Sequence, residues 1–99
     1  MAVIHLAPCE VDVDSLGFDD KHINSESKHR VNERQARQWI RDAKISVTVW
    51  NGRYERYYGY DGTAYVDLPT RNIRTAYSVD QYDEKTRALM EVLQKNGIL

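Results

Sequence analysis

Between residues 31 and 43 the apolar side chains Val31, Ala36, Trp39, Ile40 and Ala43 fall on one helical stripe, with Asn32 placed as a cap and Glu33 in the first turn. This predicts a first helix, on which Arg34, Arg37 and Arg41 form a basic ridge beside the apolar one. At residue 44 the period switches to two: Ile45, Val47 and Val49 alternate with Lys44, Ser46, Thr48 and Trp50, as in a half-buried strand. Asn51-Gly52 is a strong hairpin signal, because both central residues of that turn take positive φ. The return strand covers residues 53–59, Asp61-Gly62 predicts a second such turn, residues 63–68 a third strand, residues 69–72 a turn and residues 73–78 a fourth strand.

Two-residue turns carried through rigidly pair Ile45 with Tyr58 and Tyr58 with Tyr65, which sets Ala64, Val66 and Leu68 opposite the face of Ile45, Val47 and Val49. A one-residue bulge near residues 57–60, where Gly59 sits, would restore a single apolar face. The last segment predicts a second helix, capped by Asp80 or Asp83, with Glu84 in its first turn, Leu89, Met90 and Leu93 on one side, and Gly97 just past its end. Residues 1–30 read as a polar, irregular arm in which Val3, Ile4, Leu6, Val11 and Val13 fit either a short edge strand or an unstructured lead-in. The expected fold is α+β: one domain over residues 1–99, a four-stranded antiparallel meander packed on one face by an N-terminal and a C-terminal helix, with residues 31–97 as its ordered part.

Composition narrows the classes of function. A net charge of −1 supplies no basic excess for gripping phosphates, although Lys21, His22, Lys28, His29, Arg30, Arg34, Arg37 and Arg41 cluster in the first half. The lone Cys9 precludes an intramolecular disulfide, which fits a reducing compartment, and the histidines lack zinc-ligand spacing, so the expectation is no metal and no cofactor. The N-terminus lacks the pattern of a signal peptide, and no run approaches the roughly 18 apolar residues of a membrane span. The five glycines sit at turns and ends, so no phosphate-binding glycine loop is read.

With the helices on one face, the other would present Lys44, Ser46, Thr48, Tyr65, Arg74 and Ser78 together, a shallow groove for a flexible polar polymer. RNA cleavage by its own 2′-hydroxyl requires only a base, an acid and a cation for the phosphorane. His22 and His29 suit the proton transfers because imidazole titrates near neutrality. Arg74 and Lys44 suit phosphate contact, with Thr75, Tyr77 or Ser78 orienting the arginine, and tyrosines such as Tyr65 can stack bases.

The order of elements carries a resemblance: an arm with Lys21-His22-Ile23, a helix, a four-strand meander ending in Ile73-Arg74-Thr75-Ala76-Tyr77-Ser78, then Tyr82-Asp83-Glu84-Lys85-Thr86 opening a helix. Over roughly residues 19 to 97 it resembles the nuclease group of barnase, EndoU, the colicin RNases and RelE, found as C-terminal modules of phage minor head proteins and in bacterial polymorphic toxins. The resemblance implies metal-independent RNA cleavage, with His22 matching the family's histidine and Arg74 with Thr75 or Ser78 matching its strand residues. His29 is then the partner in proton transfer, and Lys21, Arg41, Lys44 and Tyr65 are the substrate contacts. It also implies a setting in the bacterial host cytoplasm or on a virion. Separately, the tyrosine-rich face fits a small homodimer as well as a monomer, and in the homodimer the same residues would have purely structural work. The rival expectation is a non-enzymatic phage or prophage module that binds a host factor, an immunity protein or a virion component through its arginine ridge or a sheet edge.

Overall fold

The structure, a computed structural model, describes residues 2–26 and 30–97, with Ser25 and Glu26 as backbone only. The local signals for both helices appear as read. The first, α1, is Glu33–Arg41, where Asn32 and Gln35 cap each other reciprocally. The second, α2, is Glu84–Lys95, where the Asp83 carboxylate accepts the Thr86 N–H and Gly97 follows the end at φ +71°. Thr86's N–H also holds the Asp83 carboxyl below its ordinary range.

The strands are β1 Val3–His5, β2 Gly17–Phe18, β3 Ile45–Val49, β4 Tyr54–Tyr58, β5 Gly62–Asp67 and β6 Asn72–Ser78, in the spatial order β1-β3-β4-β5-β6-β2. The expected meander is therefore the middle of a six-stranded sheet. The N-terminal segment supplies both edges, β1 antiparallel to β3 and β2 parallel to β6. A π-helical turn over Lys21–Glu26 leads from β2 towards α1. It is anchored by the fully buried Ile23, and the Asn24 side chain bonds both the N–H and the carbonyl of Val31.

Three corrections come from register. Ile45 pairs with Tyr58 around Asn51-Gly52 as expected, but Tyr58 pairs with Thr63, which centres the second turn on Tyr60-Asp61. Gly62 is a strand residue: a Cβ there would lie 2.3 Å from the Trp39 ring, so it is the indole, not a turn, that requires glycine. No bulge falls at residues 57–60. The sheet's irregularity lies in β6, where Tyr65 faces Thr75 and Val66 faces Ile73, leaving Arg74 as the extra residue.

The parity conflict is settled by burying both faces. Ala36, Trp39 and Ile40 of α1 join Tyr57, Ala64, Val66, Ile73 and Ala76, while Leu89, Met90 and Leu93 of α2 join the cluster of Ile45, Val47, Val49, Tyr58, Tyr65 and Tyr77. Strand alternation places these two sets on opposite sides, so the helices do not share a face. The bulge at Arg74 lets Ile73 and Ala76, three residues apart, enter the same core. Among the described residues no helix is long and apolar enough to cross a membrane.

Candidate functional site

The face covered by α2 is filled unevenly. The row Ile45, Tyr58, Thr63, Tyr77 lies beside Tyr82, whose hydroxyl donates to the Gly59 carbonyl at 2.8 Å and ties the start of α2 to the sheet. The next row is Val47, Arg56, Tyr65, Thr75, and beyond it stands Tyr54 opposite Val49. Here a groove of about 260 Å³ opens, lined by His22, Trp50, Tyr54, Arg56, Tyr65, Arg74 and Thr75. Small-molecule pockets run to roughly 300–1,000 Å³, so a groove of this size suits one unit of a polymer passing through.

Each wall has a local cause. Ile23 is held in the core, which leaves the preceding His22 half-buried at the groove. Arg74 is the extra residue of the β6 bulge, a device that re-aims a side chain at the edge of a regular ladder. Asp19 joins these two parts: its backbone N–H donates to the Ile73 carbonyl at 3.0 Å, its carboxylate accepts the backbone N–H of His22 at 3.2 Å, and it pairs with Arg74 at 3.3 Å. Trp50, 66% exposed, adopts φ +54°, a left-handed conformation that a tryptophan holds only when its surroundings impose it. Its ring meets Tyr54 edge-on at 5.2 Å.

Arg56 carries the electrostatics. Its guanidinium lies 4.8 Å from the centre of the Tyr65 ring, while its Nε is sequestered without a hydrogen-bond partner. Among the described residues no carboxylate comes within ion-pair distance of it, and none lines the groove. The Arg56 side chain also meets the Tyr58 hydroxyl, and Arg74 is paired with Asp19. The groove thus offers one guanidinium without a carboxylate partner, a second that shares one, and an imidazole, a set that can receive an anion. The hydroxyls of Tyr58, Tyr65 and Tyr77 form a chain at 3.2 and 2.7 Å. Burial pushes Tyr65 up to about 12, so at neutral pH it stays protonated and contributes a ring and a dipole rather than a base.

The expected site residues separate into groups. His22, Tyr65, Arg74 and Thr75 line the one groove. Ser78 bonds Asp80 and lines a different cavity with Arg30 and Gln81. Lys44 lies over the Tyr60 ring, and Arg41 pairs with Asp14, both away from the groove. Lys21 is exposed on the turn beside His22 and is not part of the lining, and His29 lies outside the described residues. The single polar face expected of the sheet does not exist: Ser46 is fully buried and, with Thr48, belongs to the α1 side, whereas Tyr65 belongs to the α2 side. Arg56, Trp50 and Asp19 escaped the sequence reading. The only signal was a charged residue in the middle of a tyrosine-rich strand. No protein family, curated protein or solved structure matches this chain.

Proposed function

We propose that this chain is a metal-independent, endoribonuclease-like domain of phage or mobile-element origin, acting in a bacterial cytoplasm. The observation that carries the reading is the convergence of His22, Arg56, Arg74 and Thr75 with three aromatic rings on one groove lined by no described carboxylate. A phosphodiester would sit against the two guanidiniums, and an adjoining base would stack on Trp50 or Tyr54. The 2′-oxygen attacks phosphorus while its proton passes to a base; the bond to the 5′-oxygen breaks, and that oxygen takes a proton from an acid. The products are a 2′,3′-cyclic phosphate and a 5′-hydroxyl. His22 serves as one of these two groups, Arg56 and Arg74 stabilise the charge on the phosphorane, and Thr75 orients the phosphate.

The test is incubation of the purified chain with mixed RNA, with and without EDTA. Cleavage in both, reduced by about 10²-fold or more in His22→Ala as expected for loss of a general acid or base, supports the reading. Tight RNA binding without cleavage would leave only a binding groove. Neither cleavage nor binding would sink the proposal. A second reading, a docking module for a host factor, immunity protein or virion component, draws on one feature. The edge strand β1 exposes Val3 and Ile4, with Leu6 following, a template for an added strand.

A further inference from the structure

The opposite side of the sheet holds a second group of chemically potent side chains. His5 pairs with Ser46 and Val3 with Thr48 across β1 and β3, and Thr48 pairs with Glu55 across β3 and β4. These pairings put His5, Ser46, Thr48 and Glu55 on the α1 side. The chain after β1 then turns back. The Cys9 N–H donates to Ser46 Oγ at 2.9 Å, and its carbonyl accepts the Tyr57 hydroxyl at 2.8 Å. A ring nitrogen of His5, the Cys9 sulfur and a carboxylate oxygen of Glu55 all lie within 4.8 Å of one another. We infer that His5, Cys9 and Glu55 form a binding site for zinc, or a divalent first-row cation of similar softness, that fastens the N-terminal segment to the sheet.

An independent observation points to a ligand. Glu55 is only 3% exposed; its Oε1 accepts the Thr48 hydroxyl at 2.6 Å, but its Oε2 is sequestered with no hydrogen-bond partner. Among the described residues no basic side chain forms an ion pair with it. A buried carboxylate oxygen without a donor is costly, and a cation bound there removes that cost.

The donor set selects the cation. Imidazole, thiolate and carboxylate together suit zinc, whereas magnesium and calcium prefer all-oxygen shells. Zinc bonds of about 2.0–2.3 Å hold tetrahedral ligand atoms roughly 3.3–3.6 Å apart, so the cluster needs only a modest contraction. On binding, the Cys9 thiol releases its proton to solvent, and the thiolate and carboxylate together neutralise the dication. The outer contacts match this. Thr48 has one proton and gives it to Glu55, so at 2.8 Å it must accept from His5 Nε2, which leaves the lone pair on the other ring nitrogen uncommitted. A cavity of about 690 Å³ lined by Pro8, Cys9 and Tyr57 gives a path for entry and water for the fourth position.

The site lies across the sheet from the groove, so it stands or falls apart from the RNA reading. The experiment is titration of the full, chelator-stripped chain with cobalt as a spectroscopic probe, followed by competition with zinc. The expected result is a thiolate-to-cobalt charge-transfer band that saturates at one equivalent, is bleached by zinc and is lost in Cys9→Ser. His5→Ala and Glu55→Gln should each weaken binding by roughly tenfold or more, and Thr48→Val by roughly 10–100-fold through the outer shell. Zinc should raise the thermal midpoint of the parent chain and not that of Cys9→Ser. If Glu55→Gln does not fold, His5→Ala carries the same measurement. No charge-transfer band, or one whose affinity is unchanged in His5→Ala and Glu55→Gln, would overturn the site.

Discussion

The two faces of one sheet solve the same burial problem with different side chains. On the α1 side, aliphatic residues, Trp39 and a single tyrosine, Tyr57, close over Ala64, Val66, Ile73 and Ala76, and the buried polar side chains Ser46 and Glu55 lie at the corner of His5, Cys9 and Thr48. On the α2 side, tyrosines do much of the filling, in edge-to-face contacts between Tyr58, Tyr65, Tyr77 and Tyr82 at 5.8–6.3 Å. A tyrosine ring can be core at one edge and wet at the other, so this face passes from packed interior to open groove within a few residues. A purely aliphatic face has no such gradient. It can be covered or exposed, but it cannot present a ring to a cation and a hydroxyl to its neighbour.

The largest expected effect tests the dry face. Trp39 is buried against Gly62, where the backbone has no side chain of its own. Trp39→Ala should lower stability in urea by about 3–5 kcal/mol, because nothing near Gly62 can fill the space. A loss much below that range would show that the α1 side is loosely packed and the contrast between faces misjudged.

Next comes alkaline pH, which should act mostly on the other face. The α1 side carries one buried tyrosine, Tyr57, whose hydroxyl burial also raises, against four so raised on the α2 side. Burial raises Tyr58, Tyr65, Tyr77 and Tyr82 above the ordinary tyrosine value of 10, Tyr65 to about 12. The folded chain then holds these protons more tightly than the unfolded one, so stability is full below pH 10 and falls as pH rises towards 12 and beyond. Denaturation followed by tyrosine absorbance should show ionisation and unfolding as one transition. Free ionisation of these rings in a still-folded chain would contradict the buried ladder. A smaller effect is expected of Tyr82→Phe, which leaves the Gly59 carbonyl without its 2.8 Å donor and should cost about 1–2 kcal/mol. Hydrogen exchange should localise that loss to α2.

What the sequence disclosed was whatever is decided within a few residues. Asn32 and Asp83 cap their helices because a cap is local, and Asn51-Gly52 centres its hairpin because those two residues accept positive φ readily, although the turn also draws in Trp50 at φ +54°. Gly62 misled for the opposite reason: its meaning comes from Trp39, 23 positions away. Reading one apolar face required a bulge at Gly59; with a second helix available for the second face, Ala64 and Val66 needed no correction. His22, Arg74 and Thr75 were legible as chemical types, but their meeting depends on Asp19 and on the β6 bulge. Glu55 lies 46 positions from Cys9, and only the pairing of β1, β3 and β4 brings them together.

The smallest expected change in stability sets the proposed groove against the rest of its face. Arg56 occupies a position that an apolar side chain of like length could fill: its neighbours in the row are Val47 and Tyr65, and its Nε has no acceptor. Arg56→Met removes the cost of that unmet donor, about 1–3 kcal/mol, and forfeits the contacts of the cation with the Tyr65 ring, about 0.5–2 kcal/mol, and with the Tyr58 hydroxyl, about 0.5–1.5 kcal/mol. Gain and loss nearly cancel, so stability in urea should stay level to within about 1 kcal/mol. RNA affinity and its dependence on salt should fall together, because one phosphate contact is lost. A residue held for binding costs the fold a little and the ligand much. If Arg56→Met instead unfolds the chain and RNA binding is indifferent to it, the guanidinium belongs to the packing of the tyrosine face and the groove loses its central charge.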